Sequence, residues 1–275
     1  MSPLRHRLTG LLAIAAAGAL LAGCSSNNVT SPGSTTSQQD ADDAAQQVGF
    51  MMSADGGASP SSMTASGGGA ASRMQSALGS ANPLSSPVAT ATDTTFTVGH
   101  ITWTITRIWY DVGGNVQASY NPITTVRVAA TSRGSGSIET PSDTASYGGT
   151  GTLDITGIST LQDTLRTNAS RHDTLQCVFT PRFRTGRVYT YLEGAGTLAN
   201  IVQAKPVSSN PWPVSGVATW TLKVDRLATN NRGSVTRHFN VAVVVTFNGT
   251  QSPDVVVTGG FRYKLNLQTG LVTRG

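Results

Sequence analysis

The sequence is poor in cysteine, in charge and in aromatic side chains. Its 275 residues include only two cysteines, Cys24 and Cys177, which excludes a small scaffold held together by several disulfide bonds. Charged residues make up 12% of the chain and aromatic residues 6%. The four histidines form no closely spaced pair, and there is no Cys-x-x-Cys or calcium-loop spacing. We therefore expect no bound metal or other cofactor.

Long apolar runs are also scarce. The chain has one, and it lies at the N-terminus. It covers residues 8–20, carries no charge, and follows the basic stretch Arg5-His6-Arg7. This length is typical of a signal peptide and is too short to cross a bilayer comfortably. The run ends in Leu21-Ala22-Gly23-Cys24, where a small residue precedes a cysteine.

This arrangement resembles the lipobox of bacterial lipoproteins. The resemblance implies that residues 1–23 are a signal peptide and that Cys24 is lipidated and becomes the new N-terminus. Several acyl chains on one residue would make a stable membrane anchor. The next residue is Ser25 rather than aspartate, which by resemblance to the sorting rule of enteric bacteria favours the outer membrane. An ordinary secretory signal with a chance cysteine is the alternative.

Residues 24–93 have the composition of a flexible linker. Of the 69 residues from 25 to 93, 45 are Ser, Thr, Gly, Ala or Pro. Such a segment cannot bury enough apolar surface to offset the entropy lost on ordering. A chain of this length would reach roughly 45 Å on average. Within it, the acidic start and later apolar residues of Asp40–Met52 predict a short helix.

Residues 94–275 predict a different structure, an all-β domain. Apolar and polar residues alternate, turn residues recur at strand spacing, and no window has helical periodicity. We count about ten strands, which predicts an antiparallel sheet arranged as a β-sandwich, a barrel or a curved half-barrel.

The clearest strand covers residues 235–247. Its apolar odd-numbered residues Phe239, Val241, Val243 and Val245 are predicted to face the core, and His238 and Asn240 to face solvent. The next pair, Asn248-Gly249, predicts a two-residue type I′ turn that fixes the hairpin register.

Three stretches of this domain resemble segments of uncharacterised β-rich lipoproteins from environmental bacteria with GC-rich genomes. They are Tyr120–Thr125, Trp212–Gly216 and Phe247–Gln251. The resemblance implies a β-rich fold and carries no activity. A looser similarity is to the half-barrel lipoprotein carriers of the cell envelope, which cover a curved sheet with helices. The absence of predicted helices from 94–275 weighs against that class.

The β domain is basic, with 13 Arg and 3 Lys against 9 Asp and Glu in residues 94–275. The densest cluster, Arg182, Arg184 and Arg187 after Arg171, is a candidate anion-binding site for a lipopolysaccharide head group, an acidic glycan or peptidoglycan. An outward strand face in an arginine-rich protein is the alternative. Too few aromatic residues accompany the basic ones for a nucleic-acid surface.

No catalytic constellation stands out, and we predict that the protein is not an enzyme. Cys177 shares an apolar face with Leu175 and Phe179, which predicts a buried structural cysteine rather than a nucleophile. Ser170, His172 and Asp173 are too close in one strand for a triad, because successive strand residues point to opposite faces.

Two functions remain open. The first is an envelope lipoprotein, anchored through Cys24, whose β domain is a structural or interaction module that binds a polymer or another protein. The second is a carrier or sensor of an apolar ligand within a curved sheet. Its lining would be Trp103, Trp109, Trp220, Phe239 and Phe247, which ordinary core packing also explains.

Overall fold

The structure is a computed structural model. It describes residues 36–52, 92–98, 101–139, 144–179, 181, 183, 186–206, 209, 211–230 and 233–275. All of them belong to one compact unit, 35–275. The predicted signal peptide (residues 1–23) and Cys24 lie outside the described residues.

The described residues form one helix and twelve strands. The helix α1 spans Gln38–Met52. The strands are β1 (Thr92–Val98), β2 (Ile101–Asp111), β3 (Val116–Gln117), β4 (Thr125–Glu139), β5 (Thr144–Thr156), β6 (Thr164–Phe179), β7 (Arg187–Ala204), β8 (Ser215–Asn230), β9 (Gly233–Thr246), β10 (Asp254–Val257), β11 (Phe261–Leu265) and β12 (Val272–Arg274).

The strands form a single antiparallel sheet, which confirms the predicted all-β class. Its order follows the chain from β1 to β12, except that β3 pairs only with β2. Strands β1 and β12 are the two edges and do not pair with each other, so the sheet is open. The described strands are therefore not divided into the two packed sheets of a sandwich.

One face of the sheet is buried, and we call it the inner face; the opposite side is the outer face. Alternation along each strand separates the two, because successive side chains point in opposite directions. In β9 the prediction is confirmed: Phe239, Val241, Val243 and Val245 are buried, whereas His238 and Asn240 are exposed.

The predicted type I′ turn at Asn248-Gly249 is wrong. Residues 247–253 form a longer loop between β9 and β10, and only Gly249 of the pair has a positive φ, 78°. Two side-chain bonds explain the difference, because Asn248 Oδ1 accepts hydrogen bonds from the Thr250 amide (3.1 Å) and hydroxyl (2.7 Å). The loop is thus built on an asparagine turn rather than on two left-handed residues.

The helix α1 lies within the range predicted as a linker, and it is part of the folded domain. The predicted helix Asp40–Met52 is confirmed, and it begins two residues earlier, at Gln38. It packs along β9–β12, and eleven of its fifteen residues are buried. The prediction of an unbroken linker over 24–93 is therefore wrong for residues 38–52 and for the start of β1 at Thr92. Ala44, Val48 and Met51 are apolar residues that it contributes to the core.

Buried ion pairs hold the first two turns of α1 against the sheet. Arg226 Nη1 of β8 lies 2.9 Å from Asp40 Oδ1 and 3.0 Å from Asp43 Oδ2. Arg237 Nη1 of β9 lies 2.9 Å from the second oxygen of Asp40. Side chains of Arg226, Asp40 and Asp43 are at most 2% exposed, so each carboxylate needs a cation beside it.

Asp42, on another side of α1, makes a second set of contacts. Its oxygens accept hydrogen bonds from Arg274 Nη2 at 2.5 Å, from the Tyr263 hydroxyl at 2.8 Å and from Gln38 at 2.9 Å. Burial raises the pKa of Asp42, but these hydrogen bonds outweigh burial and hold the pKa below its usual value. The contacts therefore stabilise the fold above the carboxyl's unfolded pKa. This stabilisation is lost as the pH falls through the folded pKa.

Candidate functional site

A row of hydroxyl side chains crosses the outer face over four neighbouring strands. Thr106 of β2 lies opposite Thr131 of β4, Thr131 opposite Thr152 of β5, and Thr152 opposite Ser170 of β6. Neighbouring strands are roughly 4.8 Å apart, so the hydroxyls repeat at about that spacing. Thr152 Oγ1 and Ser170 Oγ are 2.7 Å apart and share a hydrogen bond. We call these four residues the hydroxyl row.

The hydroxyl row is the floor of a cleft of about 500 Å³. The small side chain of Ala129, two residues from Thr131 on the same face of β4, leaves room in the cleft, while Ile108 and Asn168 also line it. The volume falls within the roughly 300–1,000 Å³ of small-ligand sites.

Irregular pairing shapes the cleft at Asn168. The register of β6 with β7 shifts between Thr167 and Ala169, where two residues of β7 face one of β6. Asn200 of β7 has a positive φ of 51°, and its amide donates to Asn168 Oδ1 at 2.8 Å. Such a bulge bends a strand and redirects a side chain, which here points an amide toward the cleft.

The cleft has almost no net charge. Asp154 is the one charged residue among those that line it, and Arg127 Nε donates to both of its oxygens, at 3.1 and 3.0 Å. The hydrogen bond that Arg127 donates to Asp154 is the main cause that raises the pKa of Arg127. The guanidinium also lies over the ring of Tyr110, 5.0 Å from its centroid.

These groups suit binding rather than catalysis. Hydroxyls and an amide donate and accept hydrogen bonds, while threonine, alanine and isoleucine methyls provide apolar contact. The residues lining the cleft include no cysteine or histidine, and their only carboxylate is paired with Arg127. A nucleophile with an adjacent base is therefore not present among them.

Arg171, the first residue of the predicted anion-binding cluster, is buried on the inner face. Its Nε donates to Asp173 Oδ2 at 3.0 Å, and Tyr147 donates to the other oxygen of Asp173 at 2.5 Å. The Asp173 charge outweighs the effect of burial and raises the pKa of Arg171, whereas burial raises the pKa of Tyr147. With 5% of its surface exposed, Arg171 is not available to an external anion.

Glycines make room for this buried group. A Cβ on Gly149 would lie 2.1 Å from the Tyr147 hydroxyl and one on Gly134 would lie 2.4 Å from the Trp103 ring. Trp103 in turn packs against Tyr147 and Arg171, with centroid distances of 5.8 and 5.7 Å. Strand parity thus directs Arg171 inward, onto the same buried face as Asp173.

Of the remaining members of that cluster, the structure describes only Arg187. Arg187 is exposed at the start of β7, and Arg182 and Arg184 lie outside the described residues. An anion-binding role for these three stays a prediction. Cys177 is buried, as predicted.

The outer face also has two histidine–carboxylate contacts. His238 Nδ1 lies 2.6 Å from Asp225 Oδ1, and His172 Nε2 lies 3.5 Å from Glu193 Oε1. Across the part of the chain that the structure describes, no group of three or more histidine, cysteine or carboxylate side chains is placed to hold a metal ion.

We compared the chain with known protein families, curated proteins and solved structures. No protein family, curated protein or solved structure matches the chain. The one helix of the described ranges, α1, lacks the length and apolarity needed to cross a membrane.

Proposed function

We propose that the protein is a lipid-anchored binding module of the cell envelope whose outer cleft binds a hydroxyl-rich glycan strand, as in peptidoglycan. The hydroxyl row is the observation that carries this proposal. It offers hydrogen-bonding groups at a regular spacing in a neutral cleft, which suits uncharged sugar rings. The net positive charge of residues 94–275 would add a long-range attraction for the acidic peptide stems of such a polymer.

The proposed anchor is lipidated Cys24, and the membrane proposed for it is the outer membrane. Because α1 is part of the domain, only residues 25–37 separate the lipidated cysteine from the fold. Thirteen residues span at most about 45 Å, and roughly 20 Å on average. The cleft would therefore be held close to the membrane surface, in reach of the polymer layer beside it.

The test is binding to purified, insoluble peptidoglycan. Thr152→Arg places a long, charged side chain on the floor of the cleft, and we expect cosedimentation with peptidoglycan to fall at least tenfold. Thr246→Arg adds the same charge at an exposed outer-face position of β9 and should bind as the unaltered protein does. Equal binding by both variants would rule out the cleft, and absence of binding by the unaltered protein would rule out this ligand.

Helix α1 favours a second candidate, the carrier of an apolar ligand. The five aromatic residues predicted to line such a cavity are all buried on the core side, and α1 now provides a helix over part of the inner face. A carrier would release α1 to admit its ligand. Mass spectrometry of the purified protein would then find a bound lipid in stoichiometric amount, which the glycan-binding proposal does not require.

A further inference from the structure

Two tyrosines stand exposed on the outer face of β7. Tyr189 and Tyr191 are 38% and 39% exposed, and Leu227, directly opposite Tyr189 on β8, is 39% exposed. Strand residues two positions apart share a face, so the two rings lie side by side. We call Tyr189, Tyr191 and Leu227 the aromatic platform.

The platform lies on the same face as the cleft and is connected to it. Ser170, the last member of the hydroxyl row, is opposite Thr197 of β7. Thr197 and Tyr191 are six residues apart on that strand, which places them on one face about 20 Å apart. Ala195 and Glu193 lie between them, and all four positions are exposed or partly exposed.

Polar side chains border this path on β6. His172, Thr174 and Gln176 lie opposite Ala195, Glu193 and Tyr191, respectively. On the other side, Asp225 is opposite Tyr191 and is held by His238 at 2.6 Å. The path from the hydroxyl row to the platform therefore has hydrogen-bonding groups along its length.

Tyrosine rings suit one chemical property of sugars. A pyranose ring has a face of C–H groups, which packs on an aromatic ring, while its hydroxyls point outward to polar neighbours. The tyrosine hydroxyl also remains available for hydrogen bonding. Exposed tyrosines provide a large, rigid contact area at low entropic cost.

We propose that the aromatic platform is a distal subsite for the same glycan, so that the ligand is an extended strand lying over about 20 Å of the outer face. This inference rests on the proposed function of the cleft. It adds that the protein selects polymer over small fragments, because one disaccharide cannot occupy both subsites.

The experiment uses soluble peptidoglycan strands fractionated by length, with the lipidated protein in detergent micelles. The unaltered protein should bind strands of four disaccharides at least tenfold more tightly than a single disaccharide. Tyr191→Ala should remove most of that gain, about tenfold, and leave single-disaccharide affinity unchanged. Leu271→Ala, at a 52% exposed position outside the path, is the control and should behave as the unaltered protein.

The outcomes separate the two proposals. Loss of the length dependence in Tyr191→Ala, with Thr152→Arg weakening both ligands, supports the distal subsite. If affinity does not depend on length, or Tyr191→Ala retains the gain, the subsite is overturned while the cleft stands. If no strand binds the unaltered protein, the proposed function itself is overturned.

Discussion

Arg226→Met should lower the free energy of unfolding by about 3–5 kcal/mol. The substitution keeps an apolar chain of similar length but removes the guanidinium shared by Asp40 and Asp43, while Arg237 stays beside Asp40. Arg226 is 2% exposed, and its two carboxylate partners are 0% and 1% exposed. Water cannot replace the lost cation at such a site, so the cost is the desolvation of buried negative charge. Chemical denaturation followed by circular dichroism measures it.

Arg127→Met is the matched control. It removes the guanidinium of another arginine–aspartate pair, but the side chains of Arg127 and Asp154 are 45% and 37% exposed. Solvent screening should hold its cost below about 1 kcal/mol. If Arg226→Met costs no more than Arg127→Met, then the buried ion pairs do not hold α1 against the sheet.

Cys24→Ala should abolish incorporation of radiolabelled palmitate and leave the precursor unprocessed. The effect is all or none, because the thiol is the atom that the first two acyl chains require under the lipobox interpretation. Cys177→Ala is the control, since Cys177 is buried in the core and should leave labelling unchanged. Label on the Cys24→Ala protein would show that the chain is not anchored through this residue.

The residues on the inner faces of the strands could be predicted because the alternation of apolar and polar residues lies within each strand's own sequence. Alternating residues of β9 specify which side is buried, and Phe239 and His238 fall on the predicted sides. The sequence also indicated a helix near Asp40. The packing of this helix on the sheet could not be predicted, because its partners Arg226 and Arg274 lie more than 180 residues away in the chain. These arginines come close to the helix only when the sheet has formed.

The cleft depends on the register in which β2, β4, β5 and β6 pair, and the sequence of a single strand does not give this register. Thr106, Thr131, Thr152 and Ser170 each look like an ordinary solvent-facing residue of one strand. They become a row only through three successive pairings. The prediction for Arg171 was wrong for a related reason, because its proximity in sequence to Arg182 does not determine the inward direction of its side chain.

The location of bound glycan, measured by methyl NMR of the purified protein in detergent micelles, tests the proposed outer cleft most directly. On addition of strands of four disaccharides, the methyl signals of Ile108, Ala129, Thr131 and Thr152 should shift. Those of Val243 and Val245, buried on the inner face, should not. Shifts confined to inner-face methyls and to Met51 of α1 would contradict the account and identify the interior as the binding site.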